Sequence, residues 1–381
     1  LGTNSTDKKQ QFKLPICITK QSLGTRKTKI NEETFMSLSQ NQNLRRYLWP
    51  CAGLLVLLII NAVISPEFFN VELKDGRFYG SLIDVLNRAA PVALLAIGMA
   101  LVIATGGVDL SVGSIMAIAG AASAYYITKG VDNLAIIIGA GLVAGLVAGA
   151  INGILVGYMS IQPIVATLIL MVAGRGIAQL INEGQIVTFE QAGFSFLGTG
   201  SFLGLPFPVV LVIITFVIVQ LLTRRTALGL YIEAVGANPS ASHYMGLNAK
   251  AIKMSVYCVA GLCAALAGMI AAADIKGSDA NNAGLWLELD AILAVVIGGA
   301  SLMGGRFSIF LAIIGALIIQ TLTVTIILSG IPPKFNLLIK ASAIIIVLLM
   351  QSPRFQQQLS KLNFWPSSPN KEKQEASRAQ S

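Results

Sequence analysis

Long apolar runs separated by short polar connections organise almost the whole chain. The first covers residues 47–64, and others cover 85–105, 111–128, 134–157, 163–182, 207–223, 251–273, 288–301, 308–329 and 335–351. An upright helix needs roughly 20 apolar residues to cross a bilayer, and several of these runs are at or below that length. Run 288–301 is the shortest and predicts a broken or re-entrant element. Non-helical backbone is tolerated at membrane depth only where protein or a water-filled cavity surrounds it, so this run already hints at a pathway. The predicted fold is all-α: a polytopic integral membrane helix bundle of about ten transmembrane segments with broken or re-entrant helices.

Composition strengthens that picture. Of 381 residues, 55% are hydrophobic and 12% charged, the latter about half the usual share for soluble domains. So few charges cannot cover a water-exposed surface, whereas a lipid-facing surface needs none. The formal charge of +9 is unevenly placed. Residues 1–35 hold Lys8, Lys9, Lys13, Lys20, Arg26, Lys27 and Lys29 against Asp7, Glu32 and Glu33. Such clusters fit cytoplasmic loops under the positive-inside bias better than a nucleic-acid surface.

Loop charges then predict topology. Arg45 and Arg46 precede the first run, which reads as a retained signal anchor with a cytoplasmic N-terminus. Counting alternately, loop 223–253 falls inside with Arg224, Arg225, Lys250 and Lys253. The tail with Arg354, Lys361, Lys371, Lys373 and Arg378 also falls inside, so both termini are expected in the cytoplasm. Loop 182–206 falls outside, with Glu183 and Glu190 and no Lys or Arg. Residues 1–35 are polar and aperiodic, and Met36 opens a stretch that reads like a natural start. We expect 1–35 to be a non-native or disordered extension, and 353–381 to be a polar cytoplasmic tail.

Metal and thiol chemistry find little support. Cys51, Cys258 and Cys263 lie in apolar runs and Cys17 in the N-terminal tail, with no CxxC spacing, and His243 is the sole histidine. The stretch 139–157 repeats Gly or Ala every four residues, a face that lets helix backbones approach closely.

Three constellations stand out. In 102–117, Gly106 and Gly107 permit a tight break, and Asp109 is placed to cap a helix beginning near Leu110; a polar site on the substrate path is the other reading. In 152–181, Asn152, Gln162, Thr167, Arg175 and Gln179 are polar groups on apolar helices. Arg175 is costly in hydrocarbon and must face a cavity, a partner or the interface. The third, 226–254, is a polar loop in which Ala234, Gly236, Ala237 and Ala241 alternate with Glu233, Asn238 and Ser242, and Gly246 closes the element. A short small-residue amphipathic helix of this kind suits a groove on another protein.

The Glu233-Ala234-x-Gly236-x-Asn238 arrangement with Gly246 resembles the cytoplasmic coupling motif of bacterial ABC importer permeases. TGGVDLSVGS (105–114) and IQPIVATLILMVAGRG (161–176) resemble the ribose/arabinose/xylose branch of that superfamily. LNRAAPVALLAIGMALVIATGG (86–107) and SDANNAGLWLELDAILAVVIGGASLMGGRF (278–307) are similar to galactofuranose importer permeases. The resemblance covers 44–352, the expected permease transmembrane domain.

It implies a division of labour. A periplasmic sugar-binding protein delivers the sugar, two permease subunits, alike or different, form the pathway in the bacterial inner membrane, and a cytoplasmic ABC ATPase drives transport. The chain has no GxxxxGK[ST] phosphate loop, so ATP and Mg are expected on the ATPase, with no cofactor and no enzymatic activity here. Glu233, Ala234, Gly236, Asn238, Ala241 and Gly246 would form the ATPase-coupling loop. Polarity alone nominates Asp109, Asn152, Gln162, Arg175 and Asp290 for the translocation pathway, since sugar hydroxyls need donors and acceptors. Asn281, Asn282 and Trp286 fall in an external loop, at the outer mouth or facing the binding protein. An ion-coupled secondary transporter would want a carboxylate deep in a helix, and Asp109 and Asp290 both lie beside breaks. A membrane enzyme would need a nucleophile–base pair or a metal set that one loop histidine cannot supply.

Overall fold

The computed structural model describes residues 32–74, 76–332, 335, 337–342 and 345, with side-chain surroundings from residue 47 onward. Most of the expected N-terminal extension, the tail 353–381 and much of run 335–351 lie outside the described residues. Contacts divide the chain into residues 1–45, described only as helical backbone from Glu32, and residues 46–381, which contain everything that follows.

Helix α1 (Glu32–Ile64) leads through a 3-10 turn (Pro66–Phe69) into a hairpin of β1 (Glu72–Lys74) and β2 (Arg77–Tyr79). Then come α2 (Ser81–Ala104), α3 (Val112–Thr128), α4 (Leu134–Gly153) with a π-helical turn (Ile154–Tyr158), and α5 (Pro163–Ile181). Next are β3 (Val187–Thr188), α6 (Ala192–Thr199), β4 (Ser201–Phe202), β5 (Leu205–Pro206) and α7 (Phe207–Arg225). The remainder is α8 (Leu228–Ala237), α9 (Pro239–Tyr244), α10 (Ala249–Asp274), β6 (Gly277–Ser278), α11 (Leu287–Ile297) and α12 (Ile309–Leu328). Among the described residues, seven helices are long and apolar enough to cross a membrane: the Tyr47–Ile64 part of α1, α2, α4 with its π turn, α5, α7, α10 and α12. Runs 111–128 and 288–301 fall short as helices for one reason: each is preceded by a non-helical segment.

The core is built on α2 and α10. From Ala89 to Ala104 α2 is buried almost throughout, and α10 buries Tyr257, Ala260, Cys263, Ala264 and Ala267 within the same cluster. Small residues permit this density. Along α4 and its π turn, Gly141, Gly145, Gly149, Gly153 and Gly157 meet Met269, Ala265, Tyr257, Met254 and Lys250 in turn, so the two helices run antiparallel with backbones nearly touching. A side chain at any of these glycines overpacks the seam, at about 1–3 kcal/mol.

The two ends of the bundle differ. One carries the short strands: Phe78 N–H donates to Gly204 O (2.9 Å), and β3 pairs antiparallel with β6. At this strand end Lys74 pairs with Glu72 and holds its carboxyl below the usual 4.5. The other end carries α8 and α9.

Candidate functional site

Two helix breaks and the α8–α9 element converge. The first break, residues 105–111, separates α2 from α3. Gly106 takes φ 78°, and the chain turns inward until Asp109 is wholly buried. Asp109 Oδ1 accepts from Ser111 N–H (2.9 Å) and Ser111 Oγ (2.6 Å). Asn152, from α4, donates to Ser111 Oγ (2.7 Å) and, at 3.4 Å, to Asp109 Oδ1. The carboxylate therefore caps the turn at Ser111 rather than the helix itself, and α3 starts at Val112, beyond the expected Leu110. Asp109 Oδ2, Asn152 Oδ1 and the Tyr257 hydroxyl are buried without a partner among the described residues.

The second break, residues 279–286, joins β6 to α11. Helix α11 has 11 residues, a rise of about 16 Å against a hydrocarbon core of about 30 Å, and the residues before it, 280–286, are a run of turns. One stripe of α5 holds that segment. Arg175 Nη1 donates to Ala280 O (3.0 Å) and Ala283 O. Gln179 Nε2 donates to Asn281 Oδ1 (2.6 Å), and Asn182 Nδ2 donates to Ser278 O and Oγ (3.0 Å each). Residues 175, 179 and 182 share one helix face, which explains their spacing. Asp279 accepts from the N–H groups of Asn281 and Asn282 and from Asn282 Nδ2 (2.7 Å). Gly284, at φ 71°, lies so close to Gly113 that a Cβ on Gly113 would overlap Gly284 O and Glu288 Oε2. The N-termini of the two broken helices thus meet inside the bundle, backbone against backbone. Beyond them Asp290 forms an ion pair with Lys340 (2.9 Å), both side chains 13% exposed.

The polar loop expected to couple to an ATPase folds as two helices, α8 and α9. Asn238 caps α9, its Oδ1 accepting from Ala241 N–H (2.9 Å), with Pro239 at the first helical position. Gly246, at φ 81°, ends the element in the left-handed region. Glu233 faces Arg224 (3.9 Å), whose Nη2 donates to Phe307 O (3.2 Å). Gly236 sits where a Cβ would overlap the carbonyl oxygen of Ala104, the last residue of α2, and crowd Gly305 N. Gly305 N–H itself donates to Ala104 O (2.9 Å), and Gly304 lies against Gly236 O and Gly106. One glycine of α8 therefore touches both the end of α2 and the loop that follows α11. The far side is open: Tyr244 is 89% and Met245 70% exposed.

The five pathway candidates fall in four places. Asp109 and Asn152 are joined in one network. Gln162 stands apart, lining a hollow of about 260 Å³ with Ser160, Lys250 and Lys253. Arg175 belongs to the second break, and Asp290 to the ion pair. Polarity alone missed Ser111, Asn182, Ser278, Glu288 and Lys340. Among them Glu288, buried in the first turn of α11, was the legible one, a carboxylate inside an apolar run. Among the described residues no group of three or more His, Cys, Asp or Glu could hold a metal ion.

Residues 81–348 match the family model described as "Branched-chain amino acid transport system / permease component". The chain is 57% identical over 316 residues to the galactofuranose transporter permease protein YtfT of Escherichia coli (strain K12), covering 82% of this chain and 92% of that one. It is 36% identical over 334 residues to the fructose import permease protein FruF of Bifidobacterium longum, covering 86% and 93%. It is 38% identical over 306 residues to the ribose import permease protein RbsC of Bacillus subtilis, covering 80% and 92%. No solved structure matches.

Proposed function

Because the chain belongs to the family of branched-chain amino acid transport system permease components, a family of multi-pass membrane proteins, we propose that it is the permease subunit of an ABC importer for a monosaccharide. Galactofuranose is the favoured sugar, on the strength of the relative at 57% identity; fructose and ribose are the sugars named for relatives at 36% and 38%. In this reading the chain lies in the bacterial cytoplasmic membrane with both termini and the α8–α9 end in the cytoplasm. A periplasmic binding protein supplies the sugar at the strand end, a second permease subunit completes the pathway, and a separate ATPase holding ATP and Mg docks on α8 and α9.

The observation that carries the reading is the contact of Gly236 with Ala104, Gly304 and Gly305. A push on α8 from an ATPase closing around ATP is delivered, without an intervening side chain, to the two elements that are interrupted inside the bundle. The end of α2 continues through the Asp109–Ser111–Asn152 network into α3. The loop at Gly305 continues back into α11, whose other end meets α3 at Gly113 and Gly284. Displacing α8 therefore biases both breaks together, and packed interfaces of this kind switch between discrete arrangements rather than deform smoothly. Exposed Tyr244 and Met245 are the anchors such a partner would bury.

The test is the importer reconstituted with its ATPase, second permease and binding protein. Gly236→Val is expected to leave membrane insertion and ATPase binding intact and to abolish sugar uptake. Uptake equal to the parent's in that variant would remove the docking role. A panel of galactose, ribose and fructose on the parent complex decides the sugar.

A further inference from the structure

Three membrane-spanning segments have their ends around one hollow. Leu134–Tyr158 stops beside it, and Pro163–Ile181 and Ala249–Asp274 start there. The hollow, of about 260 Å³, is lined in part by Ser160, Gln162, Pro163, Ala249, Lys250 and Lys253. Local sequence builds it. The π turn Ile154–Tyr158 widens the last turn of α4, and such turns are rare and recur at functional sites. Gly157 lies so close to α10 that a Cβ would crowd Lys250 O (2.8 Å). Ser160, at φ 56°, then turns the chain sharply into α5.

The charge in this space is of one sign. No acidic residue lines it, and neither lysine makes an ion pair among the described residues. Helices α5 and α10 open on the same space through Pro163 and Ala249, and a helix start adds positive partial charge. Gln162 does not cap α5 with its side chain, so its amide can donate elsewhere, and Ser160 adds a hydroxyl. Two uncompensated cations with neutral donors beside them suit a phosphate.

The surround is apolar. Tyr158, Met159, Ile164 and Val165 are 48%, 62%, 43% and 45% exposed at the end of α4 and the start of α5. On membrane-spanning segments such side chains face acyl chains, and tyrosine favours the headgroup level. A free anion would use only the lysines. A lipid uses both surfaces.

We propose that this hollow binds the phosphate of an anionic phospholipid. Lys250 and Lys253 supply the counter-charge, and the acyl chains lie along the exposed faces of α4 and α5. Basic pockets between membrane helices take headgroups of this kind. The site stands whichever sugar the importer carries. It places a lipid against the first turn of α10, just after α9.

The complete importer, purified in detergent and stripped of native lipid, tests it. It is titrated with dioleoyl-phosphatidylglycerol or dioleoyl-phosphatidylcholine, and bound lipid is counted by native mass spectrometry. The parent is expected to hold phosphatidylglycerol about ten-fold more tightly than phosphatidylcholine. Lys250→Gln with Lys253→Gln is expected to weaken phosphatidylglycerol binding by about ten- to thirty-fold, the loss of two cations at the membrane surface. Phosphatidylcholine binding and subunit composition stay unchanged. Lys250→Arg with Lys253→Arg keeps the charge and the lipid. Inorganic phosphate in large excess is expected to leave the lipid bound. Ser160→Cys is expected to react with a fluorescent maleimide, above the background of the native cysteines, several-fold more slowly in phosphatidylglycerol than in phosphatidylcholine. Equal affinity for the two lipids, parent-like binding in the double glutamine variant, or equal reactivity of Ser160→Cys would each overturn the site. Displacement by inorganic phosphate would overturn the lipid as its occupant.

Discussion

Replacing Arg175 with leucine removes both hydrogen bonds that tie α5 to Ala280 O and Ala283 O. A hydrogen bond to a charged donor contributes about 1.5–3 kcal/mol, and the two carbonyls lose their donor in a place with little water to replace it. Taking the low figure for each bond gives about 3 kcal/mol, roughly a 150-fold change in the equilibrium for detaching the segment. The contacts of Gln179 with Asn281 and of Asn182 with Ser278 persist, so β6 stays paired while the break beyond it loosens. Hydrogen exchange on the reconstituted importer reads this directly. The N–H groups of Ala283 and Leu285, which donate to Asp279 O and Asn282 O, are expected to exchange about 100-fold faster while α10 is unchanged. Arg175→Lys keeps the charge on a more flexible donor and should fall between, at about ten-fold. Exchange in Arg175→Leu within two-fold of the parent would show that the clamp carries no weight.

Other substitutions probe the remaining elements. Asp290→Asn or Lys340→Met alone strands one charge of a pair that is 13% exposed on each side, costing about 3–5 kcal/mol. The double variant is expected to recover most of the thermal stability in detergent, and equal losses in all three would deny the pairing any role. Asp109→Ala leaves Ser111 N–H and Ser111 Oγ without their acceptor and Asn152 Nδ2 with Ser111 Oγ alone. It should lower the melting temperature more than Asp109→Asn, which keeps an oxygen, and equal losses would assign the effect to charge alone. Gly113→Val drives a side chain into Gly284 O and Glu288 Oε2 and is expected to stop sugar uptake in a complex that still assembles; normal uptake would show that the two helix starts need not touch.

Period and composition made the bundle legible, because a run of apolar residues has one physical use at this length. The first break was legible for a local reason: Gly106, Gly107 and Asp109 carry the turn and the cap within five residues. The helix α9 was legible likewise, since Asn238, Pro239 and Gly246 are its start and stop signals. What the sequence could not show was pairing at a distance. Arg175 plainly needed a partner, but its partners are backbone carbonyls more than 100 residues away, and a carbonyl has no signature in a sequence. Asp290 was read as a pathway residue because Lys340, 50 residues on, lies in a run whose hydrophobicity masks a single charge. Ser111 and Ser278 went unnoticed because a small hydroxyl gains meaning only from its neighbours.

The glycine seam between α4 and α10 has a practical use for anyone following this protein through its cycle. Five close approaches in register leave those two helices no room to slide or swing apart, so together they serve as a fixed ruler. Spectroscopic labels placed on that pair should keep a constant separation in every nucleotide state. Distances from them to α8, α11 or α5 would then report the motion of those elements alone, free of the drift that a moving reference adds.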